Sequence, residues 1–168
     1  MKKTLFIITS IFVLISCSET KLEQNPNKLL GSWKMQEIHY IYKDTTYIGK
    51  PITYGTFLFA PKRYSLLYNP WTTPRKAFDT LSKPSDKEII VAFKSIVFNS
   101  GSYVFTDSTV VTTADMAKVP GFEEGKQFYK YTIKDNNLDI MMFDETYPNG
   151  EKPAWFGKMK VKFIMKKE

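Results

Sequence analysis

From Leu29 to Lys166 the chain is a succession of short apolar runs in which side chains of one character recur at every second position. The last run is the cleanest: Met159, Val161, Phe163 and Met165 alternate with Lys158, Lys160 and Lys162. A period of two is what a strand needs when one face meets a core and the other meets water. Earlier runs are Leu29 to Tyr42, Tyr47 to Pro51, Gly55 to Phe59 and Tyr64 to Tyr68. Later ones are Ser102 to Thr106, Thr109 to Thr113, Gln127 to Ile133 and Leu138 to Phe143. Several links between them are turn-forming: Lys43-Asp44-Thr45-Thr46, Ala60-Pro61-Lys62-Arg63, Asp107-Ser108 and Asp135-Asn136-Asn137. The 13 Phe and 10 Tyr suit strands better than helices. About eight or nine strands in hairpin order remove their free edges by closing on themselves. The expected fold is therefore all-β, a closed antiparallel β-barrel.

One segment breaks the alternation. Ser85-Asp86-Lys87-Glu88 is a capping box, in which the Ser hydroxyl and the Glu carboxylate satisfy orphan amides reciprocally. Ile89, Phe93, Ile96 and Val97 then share a helical face, which predicts one helix over about 85–98 that closes an end or seals a side of the barrel. The preceding stretch, Asn69 to Pro84, carries Pro70, Pro74 and Pro84 and reads as a long surface loop.

The chain begins with a short positive segment, Met1-Lys2-Lys3-Thr4, and an apolar stretch from Leu5 to Ile15. That stretch is too short for a bilayer span of about 20 residues and fits a secretory signal. It ends in Leu14-Ile15-Ser16-Cys17, which resembles the bacterial lipobox: Leu at −3, a small residue at −1, Cys at +1. The resemblance implies cleavage before Cys17, a diacylglycerol thioether on its sulfur and an acyl chain such as palmitate on the new amine. The competing reading is an ordinary signal peptide with an incidental Cys17. Ser18, rather than Asp, resembles the sorting pattern for the outer membrane. Ser18 to Lys28, with Asn25-Pro26-Asn27, reads as a polar tether. The expected organisation is a signal peptide at 1–16, a lipidated Cys and flexible tether at 17–28, and a barrel domain at 29–168, held in the cell envelope with the membrane as its partner.

Charge and cysteine count narrow the functions. The formal net charge of +7 falls to +5 once Lys2 and Lys3 are removed with the leader. The remaining lysines are scattered, with no basic stripe and no RNP-like motif, so no nucleic-acid partner is expected. A single Cys leaves no internal disulfide and no thiolate metal cluster. With one His and no acidic ligand loop, neither a metal nor another cofactor is expected. A Gly-x-Ser-x-Gly nucleophile elbow is also missing.

The candidate binding residues follow from the alternation. Trp33 opens the first run; it either plugs the barrel base or touches a ligand in the lumen. If strict alternation continues from Trp33, Glu37 and His39 also face inward, where a carboxylate beside the sole His could orient a polar head or move a proton. A bulge would instead turn Ile38, Tyr40 and Tyr42 inward and leave Glu37 and His39 in solvent. Tyr64 and Tyr68 share one strand face, as do Tyr129 and Tyr131; their hydroxyls either line a cavity or fill the barrel. Trp71, Tyr147, Trp155 and Phe156 fall in loops, at the barrel mouth or over the core edge. The Lys158, Lys160 and Lys162 stripe reads as a solvated outer face, with lipid headgroups as the alternative contact.

The order of these features is similar to the bacterial lipocalin-like domain family. Leu30-Gly31-Ser32-Trp33 resembles the lipocalin Gly-x-Trp, and Tyr54-Gly55-Thr56-Phe57-Leu58-Phe59-Ala60-Pro61 resembles that family's second hairpin. Phe98-Asn99-Ser100-Gly101-Ser102-Tyr103-Val104 resembles its post-helix strand, while Val119-Pro120 and Gly125-Lys126-Gln127-Phe128 stand where it has a Pro-and-Gly loop. The likeness covers roughly Leu29 to Met142. It departs at Val111-Thr112-Thr113, where the family often carries a His, and at Lys130, the nearest basic residue to the family's Arg. The resemblance implies a lipocalin-like barrel and a small amphipathic or lipid-like ligand. The alternatives are a filled barrel that docks another envelope protein or the membrane, and an enzyme working through Glu37 and His39.

Overall fold

In the computed structural model, which describes residues 26–50 and 54–168, each alternating run is a strand. The signal peptide, Cys17, most of the tether and Pro51 lie outside the described residues. In chain order the strands are β1 (Gly31–Tyr42), β2 (Thr46–Gly49), β3 (Thr56–Phe59) and β4 (Arg63–Tyr68). The helix α1 (Asp86–Lys94) precedes β5 (Val97–Phe105), β6 (Thr109–Ala117), β7 (Lys126–Lys134), β8 (Asn137–Thr146) and β9 (Met159–Lys167). All pairings are antiparallel, and β1 meets β9 to close a barrel of eight strands with β2 as an added ninth.

The length of β1 makes the closure work. Its first residues pair with β3, from Gly31 opposite Phe59 to Lys34 opposite Thr56. Further on, the same edge takes β2, from Ile38 opposite Gly49 to Ile41 opposite Thr46. The other edge runs along β9 from Trp33 opposite Lys167 to Tyr42 opposite Met159.

Short hairpins and long connections sort to opposite ends. The turns between β3 and β4, β5 and β6, and β7 and β8 gather at the Trp33 end. There Trp33 is fully buried and its indole Nε1 donates to the Leu29 carbonyl at 2.7 Å. The chain also enters at this end, where the Asn27 side-chain amide donates to the Tyr103 hydroxyl at 2.6 Å. The longer connections, 69–96, 118–125 and 147–158, collect at the other end, the mouth.

Between the two ends the lumen is packed. Phe57 of β3 and Tyr129 of β7 come from diametrically opposite walls, yet their ring centroids lie 5.8 Å apart. Phe57 also stacks on Phe59 at 4.3 Å, and nearer the mouth Tyr68 meets Phe163 edge-on at 5.3 Å. Rings that touch across a diameter leave no room for a ligand in the shaft, so the filled-barrel alternative describes the lumen.

The helix differs from its expectation in length and in role. The capping box forms as predicted, with the Glu88 amide donating to Ser85 Oγ and the Ser85 amide to the Glu88 carboxylate. It ends at Lys94, because Val97 is already paired with Tyr68 as the first residue of β5. None of its side chains is buried, and Ile89 and Phe93 stay 48% and 45% exposed, so α1 seals neither an end nor a side.

Candidate functional site

Strand alternation is interrupted by bulges, and these decide what faces what. On β1 the register shifts between Met35 and Glu37, so Gln36 is the extra residue. Trp33 and Met35 point into the core before the bulge; Ile38 and Tyr40 do so after it. Glu37 and His39 are thereby turned to the outer wall, as in the bulged alternative and not as unbroken alternation would have them, although Tyr42 stays 42% exposed. The structure does bring the two together: His39 Nε2 is 2.8 Å from Glu37 Oε2, and Lys50 lies 4.0 Å from the other carboxylate oxygen. They remain outside the mouth and its cleft.

A second bulge separates Tyr129, opposite Met142, from Phe128, opposite Asp144, leaving Phe143 as the extra residue of β8. Plain alternation from Leu138, Ile140 and Met142 would carry Asp144 inward. The bulge instead turns Glu145 inward, opposite Gln127, and sends Asp144 out to Lys152 at 2.7 Å.

Glu145 and Gln127 floor a cleft of about 590 Å³ at the barrel mouth, with Asn99 of β5 beside them. Its walls are apolar: Val97 and Phe98 from β5, Val119 and Phe122 from the loop after β6, and Tyr147 and Pro148 from the loop after β8. The loop holding Phe122 is docked on β6 by two backbone bonds, Ala114 N to Gly125 O at 3.0 Å and Glu124 N to Ala114 O. Gly125 has to be glycine, because a Cβ there would sit 2.7 Å from both the Phe122 ring and its carbonyl oxygen. Phe122 then meets Tyr147 edge-on at 6.2 Å, which ties the two loops together.

The floor is a directed chain of hydrogen bonds. Tyr129 donates its hydroxyl proton to Gln127 Oε1 at 2.8 Å, and the Asn99 amide donates to the same oxygen at 3.2 Å. Gln127 Nε2 in turn donates to Glu145 Oε2 at 2.7 Å. Among the described residues the buried Asn99 amide oxygen has no hydrogen-bond partner, while the Tyr64 hydroxyl faces Thr112. Burial pushes the Glu145 carboxyl above its ordinary range; the Gln127 amide partly offsets this and the Asp144 charge adds to it. Burial also raises Tyr64, to about 12, and raises Tyr129 well above the usual phenol value. These two tyrosines are therefore neutral hydrogen-bonding groups, not proton-transfer groups, near neutral pH.

The remaining sequence candidates occupy other places. Trp33 lies in the plug at the far end of the barrel from the cleft. Tyr68 and Tyr131 fill the lumen, with the Tyr131 hydroxyl spent on the Thr106 carbonyl at 2.7 Å. Trp155 packs against the core edge, while Trp71 and Phe156 are more than a third exposed. The lysine stripe is on the outer face, where Lys162 pairs with Asp139 at 2.7 Å. Asn99, Gln127, Phe122 and Glu145 were not singled out by the sequence. Alternation with Tyr129 and Tyr103 carries a signal for Gln127 and Asn99, but nothing in the run Leu138 to Thr146 announces the bulge that exposes Glu145 to the cleft.

The geometry thus defines a closed eight-stranded antiparallel barrel, packed through its shaft and open in a cleft at its mouth. No protein-family model matches the chain, and no curated protein does. Two solved structures are similar to it. One, an uncharacterized protein from Bacteroides eggerthii DSM 20697, is 14% identical, with 83% of this chain and 99% of that one covered at a TM-score of 0.43. The other, a lipocalin-like protein from Bacteroides uniformis ATCC 8492, is 15% identical, with coverage of 83% and 98% and a TM-score of 0.41.

Proposed function

We propose that the chain is a lipid-anchored, lipocalin-like protein of the cell envelope that binds a small amphipathic molecule in the cleft at its barrel mouth, without catalysing a reaction. The cleft carries this reading: about 590 Å³ of space with apolar walls and a few polar groups converging on its floor. Small-molecule sites have this volume and this division of labour between walls and floor, typically about 300–1,000 Å³. The packed shaft beneath gives the floor a rigid support, as precise binding requires.

The anchor fits the same picture. The chain enters the barrel at the Trp33 end. The segment between Cys17 and Asn27 reaches at most about 35 Å when fully extended. Acylation at Cys17 would then hold the plugged end toward the bilayer and leave the mouth facing away from it.

The interaction-module reading is favoured by one observation, the half-exposed Ile89, Ile90 and Phe93 on α1. The two are separated by titrating the whole mature chain, with Cys17→Ser as its sole change, against the neutral fluorophore N-phenyl-1-naphthylamine, alongside native mass spectrometry. A saturable one-to-one signal, lost when Val97→Trp blocks the cleft, is the expected result. A signal that survives the block, or none at all, rules out the cleft as the binding site.

A further inference from the structure

Granting that the cleft binds a small molecule, we infer that its ligand is a protonated primary amine on an apolar or aromatic body, with the ammonium group seated against Glu145 and Asn99. The inference begins from a mismatch of charge. Glu145 is a carboxylate drawn into an apolar-walled recess, and among the described residues no Lys, Arg or His forms an ion pair with it. Half-buried carboxylates normally hold a cation partner, because their desolvation is otherwise uncompensated.

Two lysines of the mouth loops are engaged elsewhere. Lys152 spans both oxygens of Asp144 at 2.7 Å and adds Thr146 at the same distance. Lys118 borders the cleft but turns to α1, where its amine donates to the Phe93 carbonyl at 3.1 Å and lies 4.4 Å from the centre of the Phe93 ring.

The second observation is independent of that charge. Asn99 is 4% exposed, borders the cleft, and has an amide oxygen without a hydrogen-bond partner among the described residues. Its orientation follows from the chain of bonds. Gln127 gives its Nε2 to Glu145 and so presents Oε1, which takes the Asn99 amide and leaves the Asn99 oxygen over. The floor therefore presents a carboxylate and a spare amide oxygen, with one N–H of Gln127 and one of Asn99 already spent inside it. An ammonium group supplies three donors and a positive charge, whereas a carboxylate ligand would meet like charge at Glu145. Phe122 and Tyr147, fixed edge-on at 6.2 Å, give the body of the ligand an aromatic wall.

The test compares matched probes on the Cys17→Ser chain: tryptamine against indole-3-propionate and n-octylamine against octanoate, by calorimetry and by displacement of the neutral fluorophore. At least one amine should bind about tenfold tighter than its acid, a factor in keeping with a single partly buried ion pair. Glu145→Gln should remove that preference, so that each amine and its matched acid bind alike, and the side-chain amide NMR signals of Asn99 and Gln127 should shift with the amine in the parent chain. Acids binding as well as amines, or an amine preference untouched by Glu145→Gln, would overturn the inference while fluorophore binding keeps the cleft reading standing. If neither probes nor fluorophore bind, the cleft reading itself falls and takes the inference with it.

Discussion

At the scale of single residues, Glu145 sets a stability cost against its proposed binding role. Its carboxyl is raised in the folded state by burial, so the fold favours the protonated form relative to the unfolded chain. Its contribution to stability is fully present below the unfolded pKa and is lost as pH rises through the folded one. Glu145→Gln is therefore expected to raise stability near neutral pH, with the gap closing as the medium is acidified through the carboxylate range. Urea unfolding of both proteins at neutral pH and near pH 4 measures this. A purely structural Glu145 would give the reverse, a less stable Gln variant at neutral pH. Trp33 makes the contrast at this scale. Its burial could be read from Gly31-Ser32-Trp33 at the head of an apolar run, because a large ring on an inward position has few places to go but the core. Glu37 and His39 could not be placed that way, since one inserted residue, Gln36, reverses the side on which they emerge.

At the scale of elements, the strands were legible and their irregularities were not. The turns and the two-residue period mark where strands lie, but a bulge costs little and carries no fixed sequence mark. The bulge between β5 and β6 shows how tight such a place is. A Cβ on Gly101 would sit 1.9 Å from the Thr113 carbonyl oxygen and 2.8 Å from the Asp115 amide nitrogen, both backbone atoms. Gly101→Ala should therefore force the two strands apart and destabilise the barrel by about 3 kcal/mol, toward the upper end of ordinary single substitutions. A thermal or denaturant midpoint unchanged from the parent would mean that the register relaxes there freely.

The helix behaves as a separate unit. Its capping box forms, and Glu88 is held down to about 2, chiefly by the Ser85 hydroxyl and then by the Asp79 and Ser85 amides. A depressed carboxyl contributes above its unfolded pKa and is lost as pH falls through the folded one, so the cap persists until strong acid. Ser85→Ala should cost α1 about 1 kcal/mol, the usual value of an N-cap. Because α1 buries no side chain, hydrogen exchange should speed up in Asp86–Lys94 while protection in β5 to β9 stays unchanged. Faster exchange spreading into β5 would show instead that helix and barrel unfold together.

At the scale of the whole molecule, polarity along the barrel axis is the organising fact. Short hairpins, the Trp33 plug and the entering chain occupy one end; long connections and the cleft occupy the other. The proposed acyl anchor on Cys17 would lie toward the first end, and two or more acyl chains hold a protein at a bilayer where one does not. Cys17→Ser should accordingly move the protein from the membrane pellet to the soluble fraction of the cell envelope, followed by immunoblotting. Persistence in the pellet would retire the lipid anchor.

The sequence by itself determined the class of the fold, the order of its strands, the capped start of its helix and the burial of Trp33. These are consequences of local pattern: period two, turn chemistry, a capping box, one large ring at an inward position. Only the tertiary structure decided that the shaft is solid, that α1 leaves its apolar residues half exposed, and that the polar floor of the cleft is built from Asn99, Gln127 and Glu145. Each of those depends on distances between residues far apart in the chain: Phe57 meeting Tyr129 across the barrel, Val97 taken by Tyr68 before the helix can extend, and Phe143 bulging against its partner strand so that Glu145 faces Gln127.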